Sequence, residues 1–209
     1  MLRFENLTRR FGDFTLFENL SFHAARGCFA LRDEGGGGKT TLLAMLAGTA
    51  DPEGGKVWID DHAMHEAPAA AKASLAVVPF DCLADPSQTG QGFLEQRARE
   101  TQSSVDAHVL DLAERFGLTP HREKRFDQMS LGTRRKFYLT ATLFGTPSVI
   151  LADEPSGGLD AGSRAVLIEL FTTLGKDRCV FFSTHDDELA DGCHATTIGF
   201  PDLARHRVV

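Results

Sequence analysis

The spacing of apolar and polar positions changes several times along the chain, and each change marks an element. Near the start, "TLFENLSFHAARG" and "CFALRD" carry strand-like apolar positions, and "KTTLLAMLAG" reads as a helix closed by Gly48. "GGKVWIDD" then reads as a turn entering a strand, and "KASLAVVPF" as a short apolar strand. From Asp81 to about Phe144 helical spacing takes over, in "GFLEQRARETQ", "VDAHVLDLAERFG" and "SLGTRRKFYLTATLFG", with Gly117 and Gly145 placed as stops. This block, residues 81–144, is expected to be a helical subdomain. Strand character returns in "SVILAD" and is followed by a helix "AGSRAVLIELFTTLGK", a strand "CVFFST", a short helix "DDELAD" and a closing strand "HATTIGF". Strands alternating with helices predict parallel pairing in a buried sheet, an α/β fold. The segment "EAPAAAKA", residues 66–73, is expected to be a flexible patch.

Composition narrows the class. With 209 residues, 42% hydrophobic and 24% charged, the chain reads as one globular domain, 1–209, able to bury about 70% of its unfolded surface. A net charge of -7 argues against a nucleic-acid partner, because neutralising phosphates needs a basic face. The basic clusters Arg9-Arg10 and Arg134-Arg135-Lys136 are short and read as solvated surface. The cysteines, Cys28, Cys82, Cys179 and Cys193, lack CxxC spacing and read as small buried hydrophobes in a reducing compartment. No apolar run approaches the roughly 20 residues of a membrane span, and the opening segment has no signal-peptide core.

Chemistry is concentrated in "CFALRDEGGGGKTTLLAM", residues 28–45. A phosphate-binding loop needs a strand, a turn of converging N–H groups, a lysine for the terminal phosphates, a hydroxyl for Mg²⁺, and the positive end of a helix. Gly38, Lys39 and Thr40 fit the end of that pattern, while its first glycine falls on Asp33. Glycines at 35, 36, 37 and 38 keep the turn permissive, but Asp33 and Glu34 place two carboxylates near a polyphosphate. Taken alone, the run could also be a mobile glycine-rich hairpin, the lesser of the two readings. In the distal half, "VILADEP" is an apolar strand ending in two acids, "SGGLD" follows it, and "FFSTHD" places His185 at the tip of a later strand. Between them and the loop lies "MSLGTRRKF", a serine-and-glycine segment opening a helix.

In this order and spacing the motifs resemble the ATP-binding cassette family, the nucleotide-binding subunits of ABC transporters, over nearly the whole chain from Leu2 to about Phe200. The resemblance implies an ABC-type P-loop NTPase core with an N-terminal antiparallel β part and an inserted α-helical subdomain. It places the phosphate loop at Gly35, Gly36, Gly37, Gly38, Lys39, Thr40 and Thr41, with Lys39 on the terminal phosphates and Thr40 on Mg²⁺. Phe11 falls where the family stacks an aromatic on adenine. Asp153 would hold Mg²⁺, Glu154 would act as general base on the attacking water, and His185 would contact the γ-phosphate. Ser130 and Gly132 match the signature segment, which reaches the nucleotide of the other subunit, and Ser156 to Asp160 match the loop at the dimer interface.

The implied protein is an ATP-hydrolysing subunit that binds ATP and Mg²⁺. It is expected to work as a homodimer of cassettes, or as a heterodimer, on a separate transmembrane subunit at the cytoplasmic face of the cell membrane. Departures accompany the matches: Asp33 in the loop, Phe80 where the family has a glutamine, and Leu131 and Thr133 in the signature. They imply a slow ATPase with a modified transmission interface. A low-turnover regulatory module and a non-transport cassette ATPase stand as the alternatives.

Overall fold

The computed structural model describes residues 1–33 and 37–205. Strand β1 (Leu2–Phe11) turns tightly into β2 (Phe14–Ala24), and β3 (Gly27–Leu31) leaves this hairpin for a second sheet. Strands β4 (Gly54–Ile59) and β5 (His62–Ala63) complete the first sheet, ordered β2-β1-β4-β5 and antiparallel throughout. In β1 the buried positions run Leu2, Phe4, then Leu7, so the inward face changes parity. The cause is a register break at Asn6, which takes φ 53° and donates its N–H to Ser21 Oγ at 3.0 Å. Opposite it, Gly55 at φ 87° leaves room for the Asn6 backbone that any Cβ would fill.

The second sheet is built from β6 (Leu75–Val78), β7 (Val149–Asp153), β8 (Cys179–Ser183) and β9 (Thr196–Ile198) around β3, in the order β6-β7-β8-β3-β9, with every pair parallel. All five residues of β7 and of β8 are buried, as continuous apolar runs covered on both faces require. Register matters most here. Leu31 lies opposite Ser183, and Ser183 opposite Asp153, so β3, β8 and β7 end level with one another.

Helix α1 (Lys39–Leu46) follows β3 directly. Helix α2 (Pro68–Ala73) occupies the segment expected to be flexible, which is a correction: Pro68 presets the first turn, alanines favour helix, and Ala71 is fully buried. Helices α3 (Gly90–Glu100), α4 (Ala107–Arg115) and α5 (Leu131–Ala141) fall between β6 and β7. Each starts on a side-chain cap: Thr89, Asp106 and Ser130 accept from backbone N–H groups of the first turn. Helices α6 (Ala161–Leu174), α7 (Asp187–Gly192) and α8 (Phe200–Arg205) complete the chain; β1 and α8 are elements that the apolar spacing did not single out.

Two apolar clusters hold these layers. One joins α3–α6 to one face of the parallel sheet, and the other fills the space between the two sheets and α1. In the second, Phe22 meets Phe181 edge-on at 5.2 Å and stacks on Phe4 at 5.7 Å, linking the sheets. Cys28, Cys82, Cys179 and Cys193 are all buried and free, as expected; burial pushes the Cys179 thiol up to about 12. Because Phe181 is fully buried at this junction, Phe181→Ala is expected to cost about 3–5 kcal/mol in urea unfolding, and a loss below about 1 kcal/mol would show that the sheets are held elsewhere.

Candidate nucleotide site

The site forms where β3, β7 and β8 end level. Gly38 precedes α1 at φ 94°, and a Cβ there would meet Leu16 Cδ2 at 2.7 Å, so both conformation and space demand glycine. This turn aims Lys39 inward. Lys39 is 8% exposed, and its Nζ donates to the Asp33 carbonyl oxygen at 3.0 Å and to His185 Nε2 at 3.1 Å. An ammonium only donates, so His185 Nε2 is the acceptor in this contact. Among the described residues Lys39 has no carboxylate partner. Gly35 and Gly36, named in the expected phosphate loop, lie outside the described residues, as does the neighbouring Glu34. Gly37, Gly38, Thr40 and Thr41 lie within them; the Thr40 side chain is exposed at the start of α1, on a helix end whose free N–H groups favour anions.

At the end of β7, Asp153 is 5% exposed, and Glu154 follows with φ 47°, an uncommon conformation for a residue with a side chain. Ser183, fully buried at the end of β8, donates to Asp153 Oδ1 at 2.5 Å and accepts the Glu154 N–H at 2.9 Å. One hydroxyl therefore fixes both acids. Sequence reasoning missed Ser183; the readable signal was a hydroxyl residue closing an apolar strand beside the strand that ends in the acids. Glu154 Oε2 accepts the His185 N–H at 3.3 Å, and Glu154 Oε1 lies 3.5 Å from His185 Nε2. Since that nitrogen already accepts from Lys39, Oε1 is shielded from solvent with no hydrogen-bond donor among the described residues.

A cavity of about 530 Å³ is lined by Lys39, Thr40, Phe80, Asp153, Glu154 and His185, together with Gly38, Thr41 and Gly157. A larger cleft of about 1350 Å³ opens beside it, from Thr40 and Phe80 to Tyr138 and Phe144. Phe80 is 52% exposed and brings an aromatic ring, with no hydrogen-bonding group, to the wall shared by both. The residues present fit a polyphosphate with a hard cation. Lys39 offers a charge held only by neutral acceptors, Thr40 and Asp153 offer oxygen donors, and Glu154 Oε1 is an acceptor in need of a donor.

Other expected residues lie apart from this cavity. Phe11 sits at the β1–β2 turn, exposed and paired with Phe14, with the Arg9 guanidinium 4.7 Å over its ring. Ser130 caps α5, accepting the Thr133 N–H at 3.1 Å, and Gly132 is buried under the Gly158 carbonyl. Asp160 caps α6, accepting the Ser163 N–H at 2.8 Å, and pairs with Lys136 at 3.0 Å. One reading of the basic clusters is corrected: Arg134-Arg135-Lys136 is not solvated throughout, because Arg135 is 1% exposed. It points along the helix face that packs on the sheet, where its nitrogens find backbone carbonyls.

Fold and site together define the class: an α/β nucleotide cassette made of an antiparallel sheet, a parallel sheet and a helical insertion. The family model described as ABC transporter matches residues 17–157. The chain belongs to the ABC transporter family. Nod factor export ATP-binding protein I of Paraburkholderia xenovorans is 33% identical over 200 residues, covering 92% of this chain and 66% of that protein. Linearmycin resistance ATP-binding protein LnrL of Bacillus subtilis is 25% identical over 190 residues, covering 88% and 61%. The chain thus spans just under two thirds of the length of these relatives. Among solved structures, an ATP binding subunit of an ABC transporter superposes with TM-score 0.84 at 22% identity, covering 91% of this chain and 82% of that one. A dimeric bacterial ABC transporter cassette superposes with TM-score 0.82 at 20% identity, covering 98% and 97%. At these identities the superpositions establish the fold.

The Ser163 N–H, with the Lys136 ammonium beside it, holds the Asp160 carboxyl well below the usual carboxylate range. Its contribution is therefore complete above that range and disappears only as the pH falls through the lowered value. Asp160→Ala is expected to lose about 1 kcal/mol near neutral pH and Asp160→Asn clearly less, with the wild-type advantage shrinking in acid; urea unfolding at several pH values checks this, and equal stability of all three at neutral pH would contradict the cap.

Proposed function

We propose that this chain is the ATP-binding and ATP-hydrolysing subunit of an ABC transporter, which energises a separate membrane subunit through ATP-driven dimerisation. The observation that carries the reading is the Lys39–His185–Glu154 arrangement, a buried ammonium and a carboxylate on residues that line one cavity, with the imidazole between them. Lys39 transfers its hydrogen bonds from the Asp33 carbonyl and His185 to the terminal phosphates, an exchange of neutral acceptors for anionic ones. The Glu154 carboxylate accepts a proton from the attacking water, and the residue's position is set by the Ser183 hydroxyl beneath its backbone. His185, released from Lys39, turns a nitrogen to the γ-phosphate. Thr40 and Asp153 would hold Mg²⁺, which when bound offsets charge on the phosphate oxygens. Phe11 is the adenine platform, its other face covered by Arg9.

Ser130, Gly132 and Asp160 lie away from the cavity, which fits residues that complete the nucleotide site of a second cassette. We read the assembly as a homodimer seated on the cytoplasmic face of a membrane partner. No helix among the described residues is long and apolar enough to cross a membrane, so the spans belong elsewhere in this reading. The names of the relatives, an export ATP-binding protein and a resistance ATP-binding protein, support a transporter over the alternatives. A second reading, a nucleotide-binding subunit of low turnover, is favoured by one observation: Phe80 offers no polar group to the attacking water or to Mg²⁺.

Mg²⁺-dependent ATP turnover across protein concentrations separates the two. The first reading predicts a rate rising faster than linearly with protein and falling about 100-fold or more in Glu154→Gln. Saturable ATP binding with turnover no faster than in Glu154→Gln would favour the second.

A further inference from the structure

Among the described residues Arg135 is the largest fully buried side chain, and it has no acidic partner there. Its neighbour Cys82 does not supply the missing charge, since burial pushes that thiol up to about 12 and keeps it neutral. The guanidinium spends its fork on backbone instead: Nη1 donates to the Gly157 carbonyl and Nη2 to the Phe80 carbonyl at 2.6 Å. Nε has no acceptor among the described residues. A buried cation held by two carbonyls, with only a neutral thiol beside it, is costly, and releasing either carbonyl leaves that carbonyl without its donor and the cation with one acceptor fewer.

Both carbonyls belong to residues that line the cavity holding Lys39 and Glu154. The loop after Glu154 is also pressed on the first turns of α5. A Cβ at Gly132 would run into the Gly158 carbonyl oxygen, a Cβ at Gly157 would lie 3.1 Å from Arg135 Nη1, and Lys136 reaches Asp160 at 3.0 Å. Phe80, on the other side, also lines the larger cleft. A phenylalanine side chain cannot join these two walls by hydrogen bonds, but its main chain can.

We propose that Arg135 is a positioning residue that ties the Phe80 backbone to the Gly157 backbone, so that the wall of the larger cleft and the loop following Glu154 move as one body. The link runs through main-chain carbonyls and so does not depend on the side chain at position 80. Its consequence for turnover rests on the hydrolase reading above; its consequence for the two backbones rests on this geometry alone.

The test is amide hydrogen exchange on the whole chain for wild type, Arg135→Met and Arg135→Lys, with Leu139→Ala as a control for loss of packing on the same helix. Arg135→Met is expected to speed exchange about tenfold in both 79–84 and 155–160 while leaving the β1–β2 hairpin unchanged. Arg135→Lys, with one compact head in place of a fork, is expected to restore protection to only one of the two segments. Where turnover is measurable, kcat falls about tenfold in Arg135→Met with KM for ATP within about twofold, a split that lost packing alone does not produce. Faster exchange in only one of the segments in Arg135→Met, or the same general acceleration in Arg135→Met as in Leu139→Ala, would overturn the proposal. If Arg135→Met does not fold, Arg135→Gln, whose amide reaches one carbonyl, is judged against the pattern expected for Arg135→Lys: protection of both segments at the wild-type level, or loss no greater than in Leu139→Ala, overturns it. A wild type without turnover removes the hydrolase reading and leaves the exchange result to decide this one.

Discussion

The constraint on which the site depends is a buried ammonium with no counter-charge among the described residues. Lys39 is held by a main-chain carbonyl from the end of β3 and by an imidazole from the end of β8. Burying a charge on two neutral acceptors is costly, and the chain meets that cost only because several features coincide. The parallel register brings β3 and β8 to the same level, Gly38 turns the chain into α1, and the two apolar clusters hold the sheet rigid from either side. An amine placed this way is short of favourable interactions until an anion arrives. It is then the natural partner for a phosphate.

Polar links beneath the cavity do the rest of the positioning. Ser183 joins the carboxylate of Asp153 to the backbone of Glu154, and Arg135 joins the backbones of Phe80 and Gly157. Each is nearly or fully buried and each bonds to residues far from it in sequence. Buried polar groups of this kind specify one arrangement of loops, because every alternative leaves a donor or acceptor unpaired. The helices that carry the outlying residues are fixed differently, by caps: Ser130 on α5 and Asp160 on α6.

Much of this was legible before any coordinates. The apolar runs "SVILAD" and "CVFFST" announced buried parallel strands, and α1 begins at Lys39, where the glycine run ends. The acids at 153 and 154 and the histidine at 185 converge on one cavity with Lys39. What sequence spacing could not show were contacts made by atoms without a signature. The Asp33 carbonyl is main chain, Ser183 looks like the tail of an apolar strand, and Arg135 sits in a basic run that resembles solvated surface. The segment at 66–73 hides its helix for another reason: alanine carries a weak apolar signal, although Ala71 is buried and Pro68 begins a helix.

The departures from the family pattern take on physical meaning in this frame. Asp33 serves the site through its carbonyl oxygen, so its presence at the glycine position does not itself remove the lysine from use. Phe80 does change the chemistry of the cavity wall, which carries an aromatic side chain there, and Lys39 is the cationic side chain assigned to an incoming phosphate. Calorimetric titration of ATP into wild type and Lys39→Met tests that assignment most directly. The account predicts saturable binding by the wild type and a loss of affinity of about 100-fold in the variant, the scale of a charged hydrogen-bonding group; unchanged affinity in Lys39→Met would contradict it.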